Sequence, residues 1–209
     1  DVYKRQSPEL GLIRLYPLPP TGMHKYGIYE LEVERNKRDS RQSSWKLSSY
    51  SRKEEWTNFN EDLKYIGQSN EIEIGRYLVN YIYPSISKLN ELRLSIGVID
   101  VTDFLAYWDI NKTFINSCQV GMFEDVELAW FTNYTKSTKE KDLRIKFKDG
   151  DGLHNIQYNE WHYYLGQDKY GASAEILNPL NNKKRNLLLI GNMLQFQNTW
   201  IGLGKFKGS

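Results

Sequence analysis

Residues 143–148 read Leu-Arg-Ile-Lys-Phe-Lys, with an apolar side chain at each odd position and a cation at each even one. A period of two belongs to a strand that turns one face to a core and the other to water. The chain must therefore build a sheet whose outer surface is locally basic. The same period recurs elsewhere. Tyr29, Leu31, Val33 and Arg35 alternate with Glu30, Glu32 and Glu34, and Leu92, Leu94, Ile96 and Val98 share a face within Leu92–Val101. Val126, Leu128 and Trp130 form a further alternating set. The unbroken apolar run Leu187–Ile190 predicts a strand buried on both sides. Leu12–Leu18 predicts a strand that ends where Pro17, Pro19 and Pro20 remove ladder donors. Ile156–Tyr164 and Thr199–Phe206 read as extended, Asp149–Gly152 as a turn, and Gly191–Asn192 as another.

Helical spacing is rarer. Glu71–Leu89 places Ile74, Tyr77, Leu78, Tyr81 and Ile82 at steps of three and four, with Pro84 as a stop or kink. Glu54–Ile66 repeats through Trp56, Phe59, Leu63 and Ile66 and predicts a helix capped by Gly67. Lys169–Leu177 predicts a short helix. Residues 36–53 are polar, Ser-rich and basic, and predict a long mobile loop with a short strand at Trp45–Leu47. Strands at uneven spacing, with helices inserted and no regular strand–helix alternation, exclude a doubly wound parallel sheet. The expected fold is β-rich α+β, with antiparallel strands in one or two small OB-like barrels and inserted helices. The expected division is residues 7–50 as the N-terminal β segment of a truncated first barrel and 51–209 as the remainder.

Composition narrows the function classes. In 209 residues the formal net charge is +2, so a role with nucleic acid needs a local patch rather than a global field. The single cysteine, Cys118, excludes an internal disulfide and fits a reducing compartment, and a cytoplasmic location is expected. No run approaches the roughly 20 apolar residues of a spanning helix. No motif names a reaction, and neither a metal nor another cofactor is expected.

Three stretches carry a resemblance: GLIRLYPLPPTGMHKYGIYELEVERNKRDSRQSSWKL, LRLSIGVIDVTDF and LLLIGNMLQFQNTWIGLGKF. Together they resemble a bacterial and phage protein family whose members open W-I-R-L-Y-P-[VI]-P and close on V-G-N and W-x-x-x-G-L-F. The opening is similar to proteins described as dual OB-fold domains, which implies a nucleic-acid or nucleotide binder of a phage or bacterial mobile element. The chain departs from the pattern in lacking the upstream C-x-A-G-I. It also lacks the cysteines before the family's histidine stretch, which here runs through His154, Ile156, Glu160, Trp161 and His162. Residues 1–6, DVYKRQ, resemble the translation of a transposon end used in preparing sequencing libraries. They are expected to be an artefact that replaces the native start. Gly202, Gly204 and Lys205 match in form the Gly-rich segment of CRISPR repeat-processing endoribonucleases.

The candidate contacts to single-stranded nucleic acid or a nucleotide are Arg14, Tyr16, Arg35, Lys37, Arg38, Arg41, Trp45 and Lys205, with Lys46, Tyr50, Arg52 and Lys53 in the same loop. Cations near phosphates bind by counterion release, and exposed rings stack on bases. A nuclease is the alternative, with His24 or His154 as acid or base, or Asp100 and Asp103 around Mg²⁺. A protein-interaction subunit is the other, on account of the Tyr and Trp content. Cys118 has no nucleophile motif around it and reads as inert.

Overall fold

The computed structural model describes residues 3–7, 11–16, 23–24, 26–49, 56, 59, 63–110, 141–160, 163, 172–183 and 185–208. The expected strand at Val126–Trp130, together with Cys118, His162, Tyr50, Arg52 and Lys53, lies outside them. The architecture is β-rich, with thirteen strands in three sheets and two short α-helices among the described residues.

The largest sheet has seven strands. It is built from β7 (Ile82–Tyr83), β8 (Ile96–Asp100), β9 (Thr102–Ile110), β10 (Lys141–Asp149), β11 (Gly152–Tyr158), β12 (Arg185–Asn192) and β13 (Trp200–Lys207). Their spatial order is β7-β8-β12-β13-β11-β10-β9. Only β7–β8 and β11–β13 run parallel; the other neighbours are antiparallel. β8 and β9 are consecutive in the chain, separated by Val101 alone, yet they stand near opposite ends of this order. The bend between them coincides with a bulge. Lys146 pairs with Leu105 but Lys148 with Thr102, and Asp103 takes a left-handed φ of 49°. An extra residue in one strand raises local twist and turns its direction. No closed barrel forms among the described residues.

One face of this sheet buries Ile99, Val101, Ala106, Leu143, Ile145, Phe147, Tyr158, Leu188, Ile190 and Trp200. Helix α2 (Ile86–Glu91) and the 3-10 turn Glu175–Leu177 close over that core with Leu89 and Leu177. Among the described residues, the other face is covered only in part. Over β8, β12 and β13, helix α1 (Glu71–Leu78) and Leu12 pack on Ile96, Val98, Leu187, Leu189, Leu203 and Phe206. Over β9, β10 and β11 no described element lies on it, and Leu105 and Leu153 are 51% and 74% exposed.

The second sheet has the order β1-β2-β5-β4, from Tyr3–Ser7, Gly11–Leu15, Ser44–Leu47 and Val33–Arg35. The third is a ribbon of β3 (Gly27–Glu30) and β6 (Lys64–Gln68). The N-terminal core of Ile13, Leu15 and Leu47 draws Phe59 and Leu63 from beyond residue 50. Residues 3–6, within the stretch expected to be an artefact, pair with β2 together with Ser7.

Several expectations are corrected. The alternation from Tyr29 to Arg35 is two strands in different sheets, because Glu30 ends its pairing with β6 and Val33 begins pairing with β5. The helix expected to end at Ile66 gives way to strand β6, so Gly67 pairs with Ile28 instead of capping a helix. Residues 36–43 do not stand free of the fold: Asp39, Arg41 and Ser43 are buried, and Arg41 and Ser43 bond Asn192 and Ser95 of the larger sheet's end. Gly191 and Asn192 remain inside β12, and the turn follows at 194–198. Pro84 acts as read. α1 ends at Leu78, a 3-10 turn follows over Val79–Tyr81, and α2 starts afresh at Ile86.

α1 is capped by Asn70, whose Oδ1 accepts from the amides of Ile72 and Glu73 at 3.0 Å each. It sits on β13 at Gly75, where a Cβ would stand 2.6 Å from the Lys207 carbonyl oxygen. In a free helix Gly→Ala is favourable by about 1 kcal/mol. Here the clash reverses the sign, and G75A lowers unfolding stability by about 1–3 kcal/mol, the usual cost of overpacking, read by urea denaturation.

Candidate functional site

The residues expected to form one cationic face are split by the fold. Arg41 is 1% exposed. Its Nε donates to Asp39 Oδ1 at 2.8 Å and its Nη2 to Oδ2 at 2.5 Å, while Nη1 reaches Oδ1 and the carbonyl of Asn192 at the end of β12. Ser44 Oγ donates to Asp39 Oδ2 at 2.6 Å, and Ser43 Oγ accepts the Ser95 amide at 2.8 Å. This polar seam joins the four-stranded sheet to the β8–β12 end of the seven-stranded one. Arg14 is buried beside it. Lys205 is buried on the core side of β13, where it donates to the carbonyls of Leu180 and Asn182 at 2.9 and 3.2 Å over the Phe104 ring. The expectation that Arg14, Arg41 and Lys205 share an open face for a nucleic-acid strand is therefore corrected: each is buried.

Tyr16, Arg35, Lys37 and Arg38 remain exposed and Trp45 is half-buried. β4 and β5 place Arg35 opposite Trp45, with its guanidinium 5.1 Å from the indole centroid, and Arg35 also donates to the Gln42 carbonyl. Tyr16 is tied to the same strand by its amide, which donates to the Trp45 carbonyl at 2.9 Å. Lys46 is paired with Glu34 at 2.6 Å. What survives of the expected patch is a small rim.

A more regular arrangement lies on the half of the large sheet that no described element covers. Leu143, Ile145 and Phe147 point into the core, so Arg144, Lys146 and Lys148 line up on the outside of β10, about 7 Å apart at two strand residues per step. The hairpin partners complete the surface. Arg144 lies between Tyr107 and Gln157, Lys146 between Leu105 and Asn155, and Lys148 between Thr102 and Leu153. Tyr107 Oη donates to Asn155 Oδ1 at 3.1 Å, and Arg144 Nη2 to the Asn155 carbonyl at 3.1 Å. Lys146 Nζ stands 5.1 Å from the centre of the Tyr107 ring. Arg144 has Asp109 at 3.9 Å, whereas Lys146 and Lys148 have no carboxylate partner among the described residues. The sequence shows the basic face of β10. It does not show that β9 and β11 flank it with a ring and exposed leucines, because strand neighbours are set by tertiary pairing.

The acid–base candidates do not converge. His154 Nε2 bonds Asp149 Oδ1 at 2.8 Å, and Asp149 Oδ2 also accepts the Ile86 amide that opens α2. His24 lies in an open cleft of about 430 Å³ with Tyr29, Leu63 and Tyr65. Asp100 accepts from Asn186 at 2.8 Å, and Asp103 occupies the bulge. No group of three metal-ligating side chains occurs among the described residues. Gly202 serves packing: a Cβ there would stand 2.5 Å from the Tyr158 ring.

Compared with protein-family models, curated proteins and solved structures, the chain matches none.

The seam is testable by pH. Burial acts to raise the Asp39 carboxyl, but hydrogen bonds from Arg41 and Ser44 outweigh it and hold the group below its ordinary value. A lowered folded pKa gives stability that is complete above the unfolded value of about 4 and disappears as pH falls through the folded one. D39N should cost about 3 kcal/mol at neutral pH, since it strands two buried cations, and should flatten the acid limb of a stability-versus-pH curve.

Proposed function

We propose that the protein is a non-enzymatic single-stranded nucleic-acid binding module, and that it binds on the outer face of β9, β10 and β11. The observation that carries this reading is the row Arg144, Lys146 and Lys148 on a sheet surface that no described element covers. A partly open OB-like barrel is the fold reading that goes with it. If β8 and β9 count as one bent strand, the order β9-β10-β11-β13-β12-β8 is 1-2-3-5-4-1, with strands 3 and 5 parallel. OB modules bind oligonucleotides on the face of strands 2 and 3 and on the loop between strands 4 and 5. Those strands correspond to β10 and β11. The loop corresponds to residues 193–199, which expose Leu194 and Phe196.

Magnitudes favour a modest, salt-sensitive affinity. Three phosphate contacts on a single strand give a log–log salt slope of about −2. A base stacking on Tyr107 contributes about 1–3 kcal/mol, enough to displace Lys146 from the ring, since an exposed cation–π contact contributes about 0.5–1 kcal/mol. Leu105 and Leu153 favour a second reading, a protein-interaction face, because exposed leucines do nothing for phosphate binding.

The test is fluorescence anisotropy with labelled single-stranded DNA and RNA across a salt series. K146E/K148E should remove binding, Y107A should weaken it about tenfold or more, and K37E/R38E should leave it nearly unchanged. Absence of salt-dependent binding to every strand tried would reject the reading, and capture of a protein partner that L153D abolishes would favour the second.

A further inference from the structure

Arg14 stands out within the seam. β2 carries it to the face that packs on the larger sheet, and the residue is 5% exposed. Its Nε is buried and donates to no acceptor. Its Nη1 lies 3.9 Å from Asp39 Oδ2, beyond hydrogen-bond reach. That carboxylate is already committed, since both oxygens accept from Arg41 and Oδ2 accepts from Ser44 as well. Two guanidinium groups thus share one carboxylate in a place nearly shut off from water. Buried polar groups are as a rule hydrogen-bonded, and buried charges paired. Burial first, and then the like charge of Arg41, lower Arg14 to about 10, which leaves it a cation at neutral pH.

We propose that Arg14 anchors a binding site for a small free oxyanion, whose oxygens accept from the guanidinium fork and whose charge balances the second arginine of the seam. The site takes a small ligand because the guanidinium is enclosed: the Tyr16 ring lies over it at 5.2 Å and is itself 43% exposed, so it forms the outer cover. A polymer phosphate has no such access, and the inference does not rest on the nucleic-acid reading. Planar carboxylates and tetrahedral phosphates both suit a two-pronged donor. An anion held here balances charge in the seam through which Arg41 links Asp39 to Asn192, and it stabilises the fold by mass action.

The experiment is isothermal titration of the full chain with inorganic phosphate and, separately, with acetate, at ionic strength held constant with chloride, alongside melting temperature in the same solutions. One of the two anions should bind saturably at one per chain and raise the melting temperature, and the tighter one gives the ligand geometry. R14Q should weaken that binding about tenfold or more by removing a charge-assisted donor pair. R14K, which keeps the cation, should weaken it in the same direction, and K146E/K148E should leave it unchanged. The site does not exist if neither anion gives a saturable signal above chloride, or if R14Q and R14K bind as the parent does.

Discussion

The structure turns on one bent strand. Residues 96–110 are continuous but for the bend at Val101, and their two halves pair with β12 and with β10, strands that stand three places apart in the sheet. A flat sheet cannot satisfy both pairings. The sheet must curl, and the bulge opposite Phe147 with the left-handed Asp103 supplies the turn. Curling decides which side chains meet the core and which remain outside. The core of Leu143, Ile145 and Phe147 and the outer row of Arg144, Lys146 and Lys148 follow from the same geometry.

The distribution of charge shows why counting cations along a sequence misleads. The loop at 35–46 is the most basic stretch of the N-terminal region, yet its Arg41 is held by a carboxylate two residues away and lies deep between two sheets. β10 has fewer cations, but the pleat sends Arg144, Lys146 and Lys148 outward. Asp39 and Asn192 draw Arg41 inward, and nothing comparable is within reach of Lys146 or Lys148 among the described residues.

Much of the fold was legible where one physical signal acted alone. The run Leu187–Ile190 had to be buried on both sides, and it is. The alternation at 143–148 gave the right face of β10. The readings failed where two signals competed. Trp56, Phe59, Leu63 and Ile66 share a helical period, but Tyr65 and Ile66 are drawn into a ribbon by β3, which a local period cannot foresee. Tyr29–Arg35 alternates without interruption although the chain changes sheet inside it, because alternation records sidedness and not partners. For the candidate site the basic row was legible and its neighbours were not, since Tyr107 and Leu153 meet it only through pairing.

The turn between β10 and β11 has a consequence for the order of assembly. Helix α2 has only six residues, too few to nucleate by itself. Its first amides are met by Asp149 Oδ2 on Ile86 and by Asp151 Oδ2 on Ser87, both from that turn and more than sixty positions later in the chain. The hairpin must therefore exist before the helix persists, so the two form and open as a single cooperative unit. Amide exchange from Ile86 to Leu89 then reports the integrity of a hairpin to which those residues are not adjacent in sequence.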